Sequence, residues 1–290
     1  MSTANSRLIL GLWRIGQWGM GPEQVADLIS ACLDLGIETF DVADIYADYQ
    51  CESMFGAALQ ANPALKSRIK LIGKCGIALV TPTRPAHRVK HYNTSCEHII
   101  ASVENSLASL GVEKLDLLLI HRPDPLMNAD EVADAFDKLK RAGKVEGFGV
   151  SNFLPHQFEL LQSRLNEPLG TNQIEISLLH LDSLFDGTLD QCQRLRVMPQ
   201  AWSPLAGGVL SHQHEDTCLS RTLSRMAHDL GVTPEQLAIA WLLRHPAGIS
   251  PVLGSGKLPH IRELVDAQNI MLDRQLWFEL LEAAIGHPIP

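Results

Sequence analysis

Gly36-Ile37-Glu38-Thr39-Phe40-Asp41-Val42-Ala43-Asp44-Ile45-Tyr46 is a short apolar and β-branched run closing on a polar turn, the pattern of a buried strand with Asp41 at its mouth and Tyr46 in the loop beyond. A carboxylate and a phenol at one strand end suggest proton chemistry. Two later runs end in the same way. Ile69-Lys70-Leu71-Ile72-Gly73-Lys74 delivers a lysine, and Leu115-Asp116-Leu117-Leu118-Leu119-Ile120-His121 delivers a histidine. Consecutive strands that each present a titratable group at the C-terminal end describe the active-site face of a (β/α)8, or TIM, barrel, an α/β fold whose catalytic residues come from several strand ends.

The flanking sequence supplies the rest of such a barrel. Leu8 to Trp13 reads as the first strand, and Pro22 to Leu35 repeats Val25, Leu28, Ile29, Cys32 and Leu33 at a helical period, with Pro22 at its start and Gly36 at its end. A helix is expected from about Glu52 to Gln60. After Lys74 the period disappears: Pro82, Arg84, Pro85, His87, Arg88, Lys90 and His91 form a long polar loop, read either as a cover for a substrate or as a solvated basic segment. Helices then follow over Ser95 to Leu110, Asp130 to Arg141, Pro155 to Leu165, Leu189 to Leu195, Leu219 to Leu230, Pro234 to Arg244 and Leu258 to Gln268. Strands fall near Val145 to Val150, Thr171 to Ile176, Val197 to Trp202 and Ile249 to Leu253, and Leu272 to Ala284 is an extra terminal helix. Eight strands separated by helices make one closed parallel barrel, a single domain over residues 1–290.

Composition narrows the function classes. With 46% hydrophobic and 20% charged residues, the 290-residue chain has a globular balance and ample core. A net charge of -9 argues against nucleic acid or an anionic membrane as partner, so any phosphate must be held locally. The six cysteines, at 32, 51, 75, 96, 192 and 218, form no C-x-x-C pair and read as reduced thiols. The apolar run of Leu8 to Trp13 is too short for a secretory signal or a membrane span. A soluble cytoplasmic protein is expected, and nothing in the sequence speaks to its oligomeric state.

Asp41, Tyr46, Lys74 and His121 suit the protonation of a carbonyl oxygen that is becoming an alkoxide. A lysine ammonium beside a phenol favours the phenolate and lowers its pKa, and Asp41 as counter-ion keeps a buried Lys74 charged. His121 can donate a hydrogen bond to the same oxygen. No side chain supplies a hydride, so reduction requires a cofactor. Gly254-Ser255-Gly256-Lys257 follows the eighth strand and precedes a helix containing Arg262, the usual phosphate position of such barrels.

These segments together resemble the aldo-keto reductases. Phe40-Asp41-Val42-Ala43-Asp44-Ile45-Tyr46, Gly73-Lys74, Leu118-Leu119-Ile120-His121-Arg122-Pro123, Gly149-Val150-Ser151-Asn152-Phe153, Asn172-Gln173, Trp202-Ser203-Pro204-Leu205 and Gly254-Ser255-Gly256-Lys257 match that family's motifs in order along the whole chain. The detail of Leu119-Ile120-His121-Arg122-Pro123-Asp124-Pro125 is most similar to a bacterial branch of oxidoreductases. The resemblance implies NADPH-dependent reduction of a small aldehyde or ketone, with NADH possible. Tyr46 would donate the proton, Lys74 and Asp41 would tune it, and His121 would orient the carbonyl. It further implies that Ser151, Asn152 and Gln173 hold the nicotinamide carboxamide and that Trp202 stacks on the ring. Ser203, Leu205 and Gly207 would follow the pyrophosphate, with Gly254, Ser255, Lys257 and Arg262 near the adenosine phosphate. His260 stands where relatives often have arginine, a departure that bears on the preference for NADPH.

Trp13, Ile45, Tyr49, Arg122, Leu126 and Phe153 flank strand ends and are expected to line the substrate pocket. No metal is expected: His212, His214, Asp216 and Cys218 lack a second pair of ligands and read as part of a cofactor-covering loop. Two other functions compete, a Schiff-base aldolase using Lys74 and a cofactor-binding regulatory subunit on the same barrel.

Overall fold

The computed structural model describes residues 6–211 and 217–290. Among the described residues there are ten strands: β1 (Ile9–Gly11), β2 (Thr39–Asp41), β3 (Lys70–Cys75), β4 (Ile77–Ala78), β5 (His91–Tyr92), β6 (Leu115–Ile120), β7 (Val145–Ser151), β8 (Asn172–Glu175), β9 (Gln200–Trp202) and β10 (Ser250–Leu253). Eight of them close a parallel barrel in the order β1-β10-β9-β8-β7-β6-β3-β2. The other two, β4 and β5, pair antiparallel, Ile77 opposite Tyr92. This small sheet ties down the two ends of the segment expected to be a single long loop. Short apolar residues fill the barrel itself, where Ile9, Ile72, Leu119 and Val252 pack together from β1, β3, β6 and β10. Larger clusters fill the layer between strands and helices, as the apolar stripes of amphipathic helices require.

The helices begin and end where local chemistry directs. Ser95 caps Cys96–Leu110 by accepting from the His98 amide, and Gly111 closes it in a left-handed conformation with φ 64°. Thr217 and Thr233 cap the two helices Cys218–Leu230 and Pro234–Leu243 in the same manner. The terminal helix Arg274–Ile285 is pinned by Trp277, whose ring stacks on Trp241 with centroids 4.9 Å apart. Each indole N–H donates to the other residue's carbonyl, at 3.1 and 3.0 Å. Among the described residues no helix is long and apolar enough to cross a membrane.

Register sets the functional face. Gly11 pairs with Asp41, Asp41 with Ile72, Lys74 with Leu119, Ser151 with Gln173, and Glu175 with Trp202. Parallel strands that pair this way all point their C-terminal ends in one direction, so their terminal side chains crowd around a single opening.

Candidate active site

Lys74 is the centre of the site. It is 1% exposed, a burial that an ammonium tolerates only with a full set of acceptors. It has them: Nζ donates to Asp41 Oδ1 in a short ion pair, to the Val42 carbonyl at 3.0 Å and to Tyr46 Oη at 3.0 Å. Three N–H groups meet three acceptors. Burial works to lower the lysine pKa, but the charges and hydrogen bonds of Asp41 and Tyr46 outweigh it and hold it above the ordinary lysine value. Asp41 is fixed in turn by Gln173, whose Nε2 donates to Asp41 Oδ2 at 2.8 Å and to Gln200 Oε1 at 2.9 Å.

Tyr46 therefore receives a hydrogen bond from Lys74 and keeps its own O–H free to donate. The expectation that Lys74 brings the phenol below its usual pKa is corrected here: burial raises it, and the nearby ammonium offsets this only in part. Tyr46 is thus a neutral acid at pH 7. His121, edge-on to the Tyr46 ring at 5.6 Å, is pushed well below the usual histidine pKa by burial and by the charges of Lys74, Arg122 and Lys90. Its Nδ1 is buried without a partner. An orphaned N–H costs more than an orphaned lone pair on a neutral ring, so the proton belongs on Nε2, leaving the ring a hydrogen-bond donor on that side.

Asp41, Tyr46 and His121 open into a cavity of about 1130 Å³, more than one drug-sized ligand needs, with Lys74 buried behind them. Its walls include Asp41, Tyr46 and His121 at one end and Gly254, Ser255, Lys257 and His260 at the other, with Ser151, Asn152, Gln173, Trp202, Ser203, Leu205 and Gly207 between them. Asn152 is held in place on this wall, accepting from Trp202 Nε1 at 2.9 Å and donating to Ser151 Oγ at 2.8 Å. Ser151 Oγ donates to the Gln173 carbonyl at 2.8 Å. Asn152, Ser203 and Ala206 all have positive φ, at 58°, 49° and 51°, a conformation that non-glycine residues hold only under constraint and that clusters at binding sites.

Of the six residues expected to line a substrate pocket, Trp13, Ile45 and Arg122 stand in the wall of this cavity. The other three lie outside the cavity lining. Phe153 is 1% exposed in the core because Asn152 turns the chain and Asn172 clamps the Phe153 backbone, donating to its carbonyl at 2.7 Å. Leu126 is 90% exposed on the surface. Tyr49 is engaged elsewhere, its hydroxyl accepting from the Leu79 amide at 2.9 Å and its ring lying under Arg84. Arg262 is likewise exposed and outside the lining, whereas His260 lines it and sits 3.2 Å from Ser255 Oγ. The helix explains this: residues two apart point roughly 200° away from each other, so only one faces the cavity. The loop containing His212, His214 and Asp216 lies outside the described residues.

Sequence reasoning missed Gln200, which shares the Gln173 amide, and the N-terminal loop residues Arg14 and Trp18. Arg14 donates to the Gly207 carbonyl at 3.0 Å across the cavity. Trp18 lies flat against Gly256, where a Cβ would come within 2.5 Å of the indole. Neither contact has a local sequence signal, because each joins loops more than 190 residues apart.

A closed barrel that gathers tyrosine, lysine, aspartate and histidine at the mouth of a long cleft defines a class of barrel enzyme. The family comparison is specific: a profile of the aldo/keto reductase family matches residues 7–284, and the chain belongs to that family. It is 50% identical to the oxidoreductase YdhF of Escherichia coli over 98% of this chain and 95% of that protein. It is 48% identical to a 6-dehydroglucose reductase of Agrobacterium fabrum over 98% of this chain and 96% of that one. A crystal structure of an aldo/keto reductase from Klebsiella pneumoniae in complex with NADP and acetate is similar, with TM-score 0.75 and 27% identity over 97% of this chain and 92% of that chain.

Proposed function

We propose that this protein reduces an aldehyde or ketone to the alcohol with NADPH as the hydride donor and Tyr46 as the proton donor. The observation that carries the reading is the hydrogen bond from the buried Lys74 ammonium to Tyr46 Oη, which leaves the phenolic proton as the one this cluster can give away. The residues present fit a nicotinamide dinucleotide. Gln173 has spent both amide protons, so its Oε1 remains to accept from a carboxamide; Gly254 has no atom within 4 Å of where a Cβ would stand. Gly207 and Gly208, with φ 68° and 105°, bring bare backbone to the cavity, and Ser255, Lys257 and His260 are suited to a phosphate at its far end. When bound, the reduced nicotinamide supplies a hydride to the carbonyl carbon.

The protein's own part is then to orient and protonate. His121 Nε2–H and Tyr46 O–H converge on the carbonyl oxygen, polarising it before reaction. As charge develops on that oxygen, Tyr46 gives up its proton. The phenolate that results is stabilised by Lys74 Nζ at 3.0 Å, and Asp41 and the Val42 carbonyl keep the ammonium from turning away. Saturation of Lys74 by three acceptors disfavours the aldolase reading, since a Schiff base needs a free amine lone pair. A cytoplasmic location is supported by six free, dispersed cysteines. The test is NADPH oxidation by the purified protein across aldehydes, ketones and quinones. Carbonyl-dependent oxidation with alcohol formed in equal amount is expected; nucleotide binding without turnover of any carbonyl would return the regulatory reading.

A further inference from the structure

The end of the cavity at His121 is basic in an acidic protein. No aspartate or glutamate occurs between Glu52 and Glu97, although the whole chain carries -9. Within that span the loop over the barrel mouth contributes Lys90 to the cavity wall, and Arg122 joins it from the residue after His121. Neither side chain makes an ion pair or hydrogen bond with a carboxylate among the described residues. Two of the nearby acids are engaged elsewhere. Asp41 is held by Lys74, and Asp124 accepts from Thr94 Oγ1 at 2.9 Å and from the Leu126 amide at 2.8 Å. Glu175 faces His180 Nε2 at 3.6 Å.

Arg122 is also placed. Its guanidinium lies over the Trp202 ring, 5.2 Å from the centroid, which holds a half-buried cation on the cavity wall instead of letting it swing into water. The same two cations lie close enough to His121 for their charges to act on its ring. An unpaired, oriented guanidinium and a neighbouring ammonium beside the proposed proton donors form half of an ion-pairing site. A substrate that brings the other half would lose its hydration shell and find fixed charge in its place.

We infer that the preferred substrates are carbonyl compounds bearing an anionic group, with Arg122 and Lys90 receiving that group while Tyr46 and His121 address the carbonyl. This rests on the reductase reading above and specifies its substrate class. Lys90 lies on an exposed loop and would chiefly draw the anion in; Arg122, held on Trp202, would fix its position by a bidentate contact.

The experiment compares kcat/KM with NADPH for two matched pairs, glyceraldehyde against glyceraldehyde 3-phosphate and benzaldehyde against 4-carboxybenzaldehyde. At least one anionic member is expected to exceed its neutral partner by about tenfold. The pair that shows the preference tells whether phosphate or carboxylate is received. The advantage should shrink as salt is raised, and Arg122→Gln should reduce the anionic-to-neutral ratio about tenfold, mainly through KM. Lys90→Gln, at an exposed position where folding is not at stake, should reduce the same ratio by a smaller factor. Equal or better use of both neutral aldehydes overturns the inference and leaves the reductase reading intact. Turnover of no carbonyl at all overturns both.

Discussion

Glu52 lies in the helix Cys51–Ala61, 6% exposed, with Oε1 buried and unpartnered. Burial raises its pKa to about 7; a hydrogen bond from Ser106 works against this and the charge of Asp44 adds to it. A carboxyl whose folded pKa is raised binds a proton that the unfolded chain has already released. Its contribution to stability is therefore fully present below the unfolded value near 4.5 and is lost as pH rises through 7. Ionised Glu52 then costs the folded state on the order of 3 kcal/mol. Glu52→Gln should lose less stability than wild type between pH 5 and pH 8, as read by urea denaturation at both. Parallel losses in the two proteins would remove Glu52 from this account. Asp41, Lys74 and His121 were legible because each ends an apolar run. Gln200 was not, because its role depends on which neighbour the barrel brings alongside.

Tyr46 opens a four-residue helical turn, Tyr46–Tyr49, that is not regular. Ala47, Asp48 and Tyr49 have φ of 49°, 57° and 65°, three consecutive left-handed residues with side chains. Each costs roughly 1–2 kcal/mol relative to the right-handed form. The turn is held by Gln50 N–H on the Tyr46 and Ala47 carbonyls, both at 3.2 Å, and by the Tyr49 hydroxyl on the Leu79 amide. Asp48→Gly should relieve one such residue and raise stability by about 1 kcal/mol, measured by chemical denaturation. An unchanged or lowered stability would show that Asp48 has a compensating role. Sequence placed Tyr46 in a loop but had no sign of this conformation: Asp48 alone belongs to a type that favours positive φ, and then as a single residue, while Ala47 and Tyr49 do not. The β4–β5 pair escaped notice for a related reason: two-residue strands are too short to show a period.

Across the whole molecule, a cleft runs over the C-terminal ends of the strands from His121 to Lys257 and His260. The barrel and its helix order were legible because eight apolar runs alternate with helical periods. The two ends of the cleft were less so. On the helix Leu258–Asp266 the charge of Arg262 drew attention, yet the helix phase turns His260 to the cavity and Arg262 to solvent. If the additional phosphate of NADPH lies at this end, Lys257→Ala should weaken NADPH by roughly fivefold or more and NADH much less, by fluorescence titration of each nucleotide. Equal losses for both would move the phosphate site elsewhere. The proton donor sits at the other end, in the chain Asp41, Lys74, Tyr46. Its most direct test is Tyr46→Phe, which removes one oxygen and leaves the cofactor wall intact. A proton-donor role for Tyr46 predicts at least a thousandfold loss of carbonyl reduction, with NADPH bound within about twofold of wild type. Turnover near the wild-type rate in that variant would contradict it.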